Sequence, residues 1–219
     1  MIAAGERMRS DGLRRRIVAS ICVVGSFVLL AALAWTHSGM AAGSAPGNEV
    51  TLQIDAGQSR IHWTLGSTLH TVHGTFALKK GMVQFNPDTG DANGEIVADA
   101  TSGDSGNGSR DKKMHREILE SARYPEVIFR PRRIQGRVPA EGPCQVEIQG
   151  TFLLHGAEHE LSVPVNATMN GKQFQGSAKF TVPYIQWGLK SPNTFLLKAD
   201  PTVEIELEMK GTIERGPLS

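Results

Sequence analysis

Cysteine is almost missing from this chain: Cys22 and Cys144 are the only two in 219 residues. That is too few for a disulfide framework or a cysteine-built zinc site. Aromatic residues make up only 6%, and 23 Lys+Arg against 22 Asp+Glu leave a net charge of +1. A chain so balanced has no overall field with which to hold nucleic acid. Internal repeats are lacking, and a single long uncharged apolar run excludes a multi-pass membrane protein. What is present is ordinary for a folded domain: 40% hydrophobic and 21% charged residues, which excludes wholesale disorder, and 24 Gly with 11 Pro, enough for many turns.

The apolar run comes first. Arg9, Arg14, Arg15 and Arg16 precede an uncharged stretch from Ile17 to Trp35, followed by small residues from Gly39 to Ala45. A basic head, an apolar stretch and a small-residue exit describe an export signal. Its length is also near the minimum for a membrane span. Residues 1–42 are therefore either a signal peptide cleaved near Gly39 to Ala42 or a retained anchor, with residues 17–35 as the membrane-associating part. Both place the arginines in the cytoplasm and everything downstream outside it, periplasmic or otherwise extracytoplasmic. A lipoprotein signal is excluded because Cys22 lies mid-run after the bulky Ile21. Without residues 1–42 the chain loses five Arg and two acids, leaving 18 basic and 20 acidic residues. Cys144 is then a lone thiol, expected to be buried and inert. Residues 43–48 read as a linker, 49–214 as the exported domain and 215–219 as a tail.

Strict alternation dominates from Val50 onward. Val50, Leu52 and Ile54 interleave with polar residues, as do Ile61, Trp63 and Leu65. The same pattern recurs over Val146–Leu154, Leu161–Met169, Phe174–Tyr184 and Val203–Met209. A strand points successive side chains to opposite faces, so each segment has one apolar and one wet face. Further strands are expected at Thr71–Leu78, Met82–Asn86, Glu95–Thr101 and Val127–Ile134, with turns at Lys80-Gly81, Asn86-Pro87-Asp88 and Asn93-Gly94. Asn170-Gly171 is the strongest hairpin signal. Eight to ten half-wet antiparallel strands must close into a barrel or stack as a sandwich. One segment differs: a polar loop over Ser102–Ser109, then Met114, Ile118, Leu119 and Ala122 at helical spacing. The spacing predicts an amphipathic helix over Asp111–Ala122, capped by Ser109 or Asp111 and stopped by Pro125. Such a helix would cover a barrel end or line an entrance.

Few residues suggest catalysis. His155, Glu158 and His159 spell an inverted zinc-hydrolase motif, but that chemistry needs both histidines on one helical face. Here strand-like segments flank Gly156, so the side chains should diverge on a turn. His62, His70 and His73 read as solvated strand histidines, and Arg130, Arg132 and Arg133 as a solvated edge. No nucleophile elbow or phosphate loop occurs. The apolar face remains. Trp63, Phe76, Phe85, Phe129, Phe152, Phe174, Phe180 and Trp187 lie on or beside the inward parity of their strands. Gly74, Gly150, Gly176, Ala98, Ala167 and Ala178 share that parity. Alternation alone allows either a packed core, with the protein acting through its surface as a stress or interaction protein, or a ligand cavity.

The chain resembles the YceI-like, lipocalin-like, polyisoprenoid-binding proteins from about Val50 to Ile213. The resemblance rests on Ser59-x-Ile61-x-Trp63, Val72-His-Gly74-Thr-Phe76 and Gly106-Asn107-x-x-Arg110-Asp111. It continues through Tyr124-Pro125-Glu126-Val127-x-Phe129, Gly150-Thr-Phe152-x-Leu154-His155-Gly156, Glu160-Leu161-x-Val163 and Trp187-Gly188. It implies an antiparallel β-barrel of about eight strands with no enzymatic activity, no metal and no cofactor. The apolar interior would hold the isoprenoid tail of a quinone or polyprenyl lipid. The cavity lining is then expected from Trp63, Phe76, Phe85, Ile118, Leu119, Phe129, Phe152, Leu154, Val163, Phe180 and Trp187. Two positions depart from the pattern: Lys113 stands where relatives often carry histidine, and Ile118-Leu119 stand where they commonly carry an aromatic pair. Arg110 and Asp111 read as a structural pair. The energetics suit such a ligand. Burying a five-carbon isoprene unit contributes about 3–4 kcal/mol, so three or four units offset an association cost of roughly 4–15 kcal/mol.

Overall fold

The computed structural model describes residues 48–193 and 198–216. The signal or anchor at 1–42, nearly all of the linker and the tail from Pro217 onward lie outside the described residues. The domain is one antiparallel sheet of nine strands. They are β1 (Val50–Ile54), β2 (Arg60–Leu65), β3 (Val72–Phe85), β4 (Ala92–Asp104), β5 (Glu126–Gln135), β6 (Gly142–Leu154), β7 (Ala157–Asn170), β8 (Gln173–Val182) and β9 (Val203–Arg215). A short helix, α1 (Gly108–Lys113), runs on as a wider π-helical turn over Met114–Ile118, between β4 and β5.

Nine strands fill eight positions, because β1 and β2 are two halves of one stave. Val50 faces Phe85 of β3 and Arg215 of β9, while Ile61 faces Phe76 and Leu207 of the same two strands. The break between them is a tight turn in which Asp55 Oδ1 accepts from the Gly57 and Gln58 amides, at 2.8 and 3.2 Å. The buried Ser59 hydroxyl donates to Asp55 O at 2.7 Å and accepts from the Lys210 amide at 3.3 Å. Pairing of β3 with β4 closes the ring, so no stave is left with a bare edge.

Several expectations shift. The two strands expected at Thr71–Leu78 and Met82–Asn86 are one continuous β3. The inward residues run Val72, Gly74, Phe76, Leu78 and then Gly81, Val83, Phe85, with exposed Lys79 and Lys80 between. A bulge at that point changes the parity, which in the sequence looks like a turn. Arg132 and Arg133 mark the same device in β5, where the register slips between Pro131 and Arg133. β4 also outruns its expected span: Asn93-Gly94 and Ser102-Gly103-Asp104 belong to the strand. The helix begins earlier and ends earlier than expected. Its cap is Asn107, whose side-chain oxygen accepts from the Ser109 and Arg110 amides at 3.2 and 3.1 Å. Glu120, at φ 46°, ends it well before Pro125.

The outer wall is laced with ion pairs. Lys179 Nζ sits 2.7 Å from both Glu204 and Glu206. Lys179 holds the Glu206 carboxyl below the ordinary glutamate value. The stabilisation is present above that ordinary value and lost as the pH falls. The inner face carries the core, gathered towards one end around Ile54, Val83, Phe85, Ile134, Phe174 and Ile213.

Both tight hairpins rely on glycine at positive φ, but their surroundings differ. The β6–β7 turn holds His155 at φ 52° and Gly156 at φ 80°; a β-carbon on Gly156 would lie 2.6 Å from Tyr124 Cε1. The β7–β8 turn holds Gly171 at φ 60°, with nothing within 4 Å of such a carbon. Gly171→Ala should therefore lose about 1–2 kcal/mol, the backbone cost alone. Gly156→Ala should lose measurably more in urea denaturation. Equal losses would show that Tyr124 gives way without cost.

Candidate functional site: an apolar cavity open at one end

A cavity of about 410 Å³ occupies the half of the barrel nearest the helix. Alternation puts one face of every strand inside, but it leaves open whether those side chains fill the lumen. The glycines decide it. A β-carbon on Gly74 would lie 2.4 Å from the Trp63 indole, and one on Gly150 would lie 2.8 Å from the Phe129 ring. A β-carbon on Gly103 would lie 2.5 Å from the Phe76 ring. Each ring thus lies against a recess in the wall that only glycine provides, instead of standing across the lumen. Small residues on the inward parity serve two purposes: glycines recess the rings, while Ala98 and Ala178 face the cavity directly.

Nine of the expected lining residues do line the cavity: Trp63, Phe76, Ile118, Leu119, Phe129, Phe152, Leu154, Val163 and Phe180. Phe85 does not. It is 2% exposed within the core at the far end and borders a separate void of about 60 Å³, beside Cys144. Its parity is inward, but parity says nothing about depth along the stave. Trp187 also stands off the cavity: its indole stacks flat on His159, with centroids 4.2 Å apart and planes at 3°. It packs against Phe152 with centroids 5.6 Å apart.

Sequence reasoning missed several contributors. Ile205 and Leu207 of β9 line the cavity too, and the alternation over Val203–Met209 is the signal that points to them. Tyr184 continues the alternating run of β8 beyond the end of the strand, while Leu189 and Pro192 come from the β8–β9 connection, which has no periodicity to read. Tyr184 is pinned there by its hydroxyl, which donates to Asp200 O at 2.8 Å, and burial pushes its phenol above the ordinary value.

Polar atoms gather at the mouth. Ser67, His70, Arg110 and Lys113 border the cavity, and among the described residues no carboxylate does. Lys113 Nζ donates to Pro192 O at 3.1 Å, tying the helix to the β8–β9 connection. Arg110 Nε donates to Ser105 Oγ at 2.8 Å, and Ser105 donates in turn to Asp111 Oδ1 at 2.5 Å. Arg110 and Asp111 therefore clamp one loop, as a structural pair should. Three buried nitrogens, Trp63 Nε1, His155 Nε2 and His159 Nε2, have no hydrogen-bond partner among the described residues.

The zinc-hydrolase arrangement has no geometric basis. His155 occupies the turn and packs on Tyr124 with centroids 4.4 Å apart, its Nε2 3.3 Å from Glu120. His159 lies within β7 against Trp187. The two rings serve different neighbours. Among the described residues no group of three His, Cys, Asp or Glu side chains is placed to hold a metal.

The family model for the YceI-like domain matches residues 52–211. The chain belongs to the YceI-like family. Solved structures agree on the fold at low identity. BcnA of Burkholderia cenocepacia superposes with a TM-score of 0.60 at 16% identity, over 73% of this chain and 99% of that one. A polyisoprenoid binding domain from Saccharophagus degradans, implicated in plant cell wall breakdown, gives 0.55 at 14%, over 76% and 98%. The YCEI protein of Campylobacter jejuni gives 0.52 at 14%, over 66% and 86%. No curated protein matches the sequence.

Two measurements bear on this geometry. Gly74→Ala should cost about 1–3 kcal/mol, as overpacking does, and shift tryptophan emission as the indole is driven off its recess. Unchanged emission and stability would mean that the recess is dispensable. Burial pushes the Cys144 thiol above its ordinary value. Folded protein should accordingly react with a thiol reagent roughly tenfold or more slowly than urea-unfolded protein.

Proposed function

We propose that this YceI-like barrel is an exported binding protein that holds the isoprenoid tail of a polyprenyl or quinone-class lipid in its cavity, as carrier or store. The observation that carries the reading is the cavity itself. Its roughly 410 Å³ falls within the range of sites that enclose small organic ligands. The inner walls are hydrocarbon and aromatic ring, and polar groups appear only at the opening. A branched, neutral chain is the guest such walls favour, because its affinity comes from buried apolar area. A hydrophilic substrate would lose its hydration without gaining partners. The Saccharophagus degradans neighbour, described as polyisoprenoid binding, supports the same ligand class. Export rests on the sequence of residues 1–42.

Native mass spectrometry after gentle extraction should show a co-purifying lipid, and added polyprenol should raise the melting temperature. Ala178→Phe places a ring in the lumen from a wall position 5% exposed. That variant should fold, within about 1–3 kcal/mol of the parent, and lose the lipid. A protein that is strictly free of lipid and indifferent to added polyprenol overturns the proposal.

A further inference from the structure

We propose that the open end of the barrel is a docking face for an anionic lipid surface, from which cargo enters the cavity without crossing water. The proposal concerns where the barrel sits, and it goes beyond what the cavity holds.

The two ends of the barrel differ in charge. Around the mouth, the segment between β4 and β5 carries Arg110, Lys112, Lys113, Arg116 and Arg123 against Asp111, Glu117 and Glu120. The β8–β9 connection adds Lys190 and Lys198 against Asp200. The connections at the far end lean the other way, with Asp88, Asp91 and Glu141 against Arg137 and Lys172. Carboxylates on the outer wall just below the rim do not cancel the difference. Glu126, Glu158 and Glu204 are each taken up by a base lower on the wall: Lys79 at 2.8 Å, Arg130 at 3.4 Å and Lys179 at 2.7 Å. Within the rim, Glu117 is paired with Arg116 and Glu120 with Lys190, which leaves Lys112 and Lys198 exposed without a carboxylate among the described residues.

The rim also carries an apolar tip. Leu69, in the β2–β3 connection, is 67% exposed, more than any other large hydrophobic residue described. Its neighbours Ser67 and His70 border the cavity. The Thr68 amide donates to Lys198 O at 2.9 Å, so the apolar tip and a free cation share one lip of the opening. An exposed apolar side chain beside unpaired bases is the combination that holds a protein at an anionic interface. A guest of isoprenoid character would itself reside in that interface.

Residues 44–219 form one compact unit with its own core, and solved neighbours consist almost wholly of this barrel. The test uses that unit, free of the apolar run at 17–35. Sedimentation with vesicles of phosphatidylcholine alone, and of phosphatidylcholine mixed with phosphatidylglycerol, should show binding to the mixed vesicles only, falling steeply with added salt. Each base near the surface is worth about fivefold in affinity. Lys112→Glu combined with Lys198→Glu should therefore weaken binding by roughly tenfold or more, and Leu69→Ser should weaken it as well. Lys172→Glu, at the far end, should leave it within about twofold. Equal binding to neutral vesicles, no binding to either, or equal weakening by Lys172→Glu overturns the docking face. Uptake of polyprenol from detergent by the same variants reports separately on the cavity.

Discussion

The contact of an aromatic ring with a glycine on the neighbouring strand underlies the interior of this barrel. Trp63 over Gly74 and Phe129 over Gly150 are cross-strand contacts in which the missing β-carbon makes room for a ring to lie along the wall. A barrel of about eight staves is at the size where inward side chains can either meet across the middle or leave a space. With any β-carbon at these positions the rings would have to stand inward and the lumen would fill. The same glycines weaken the strands they sit in, and the covering rings offset part of that loss.

This arrangement divides the barrel lengthwise. At the far end, Phe85, Val83, Ile134 and Ile213 pack as an ordinary core, which holds the staves together independently of any guest. Towards the helix the wall opens into the cavity, and closure passes to irregular pieces: the π-helical turn, the β8–β9 connection and the Lys113–Pro192 tie between them. Exposed ion pairs along the outside contribute little individually. Stability is thus concentrated where the lumen is filled, and ligand capacity where it is not.

Much of the fold was legible. Period-two patterning located the strands, and the half-wet faces required a barrel or a sandwich. Misjudged boundaries trace to identifiable causes. At Lys79-Lys80 a bulge shifts parity and mimics a turn; the clustered glycine and serine near residue 103 mimic a loop, though Gly103 is a recess for Phe76. Asn107 was not recognised as the helix cap because the helix was started too late. Of the eleven residues expected to line a cavity, nine border it. Phe85 and Trp187 failed because sequence gives neither depth in the barrel nor which side of a neighbour a ring takes. Leu189 and Pro192 carry no pattern at all.

The residue pattern alone determined antiparallel strands with an apolar inside and a charged outside, as barrel or sandwich, because side-chain direction in a strand follows from its residue count. It also predicted that the side chains of His155 and His159 diverge, since a glycine between two strand segments favours a turn. Whether the inside is hollow was decided only by the tertiary structure. A glycine is silent in the linear chain; it becomes a recess only when register brings it against a ring on the adjacent strand, facing as for Trp63 and Gly74 or diagonal as for Phe129 and Gly150. Register is a property of the assembled sheet, and with it came the cavity and the unequal charge of the two ends.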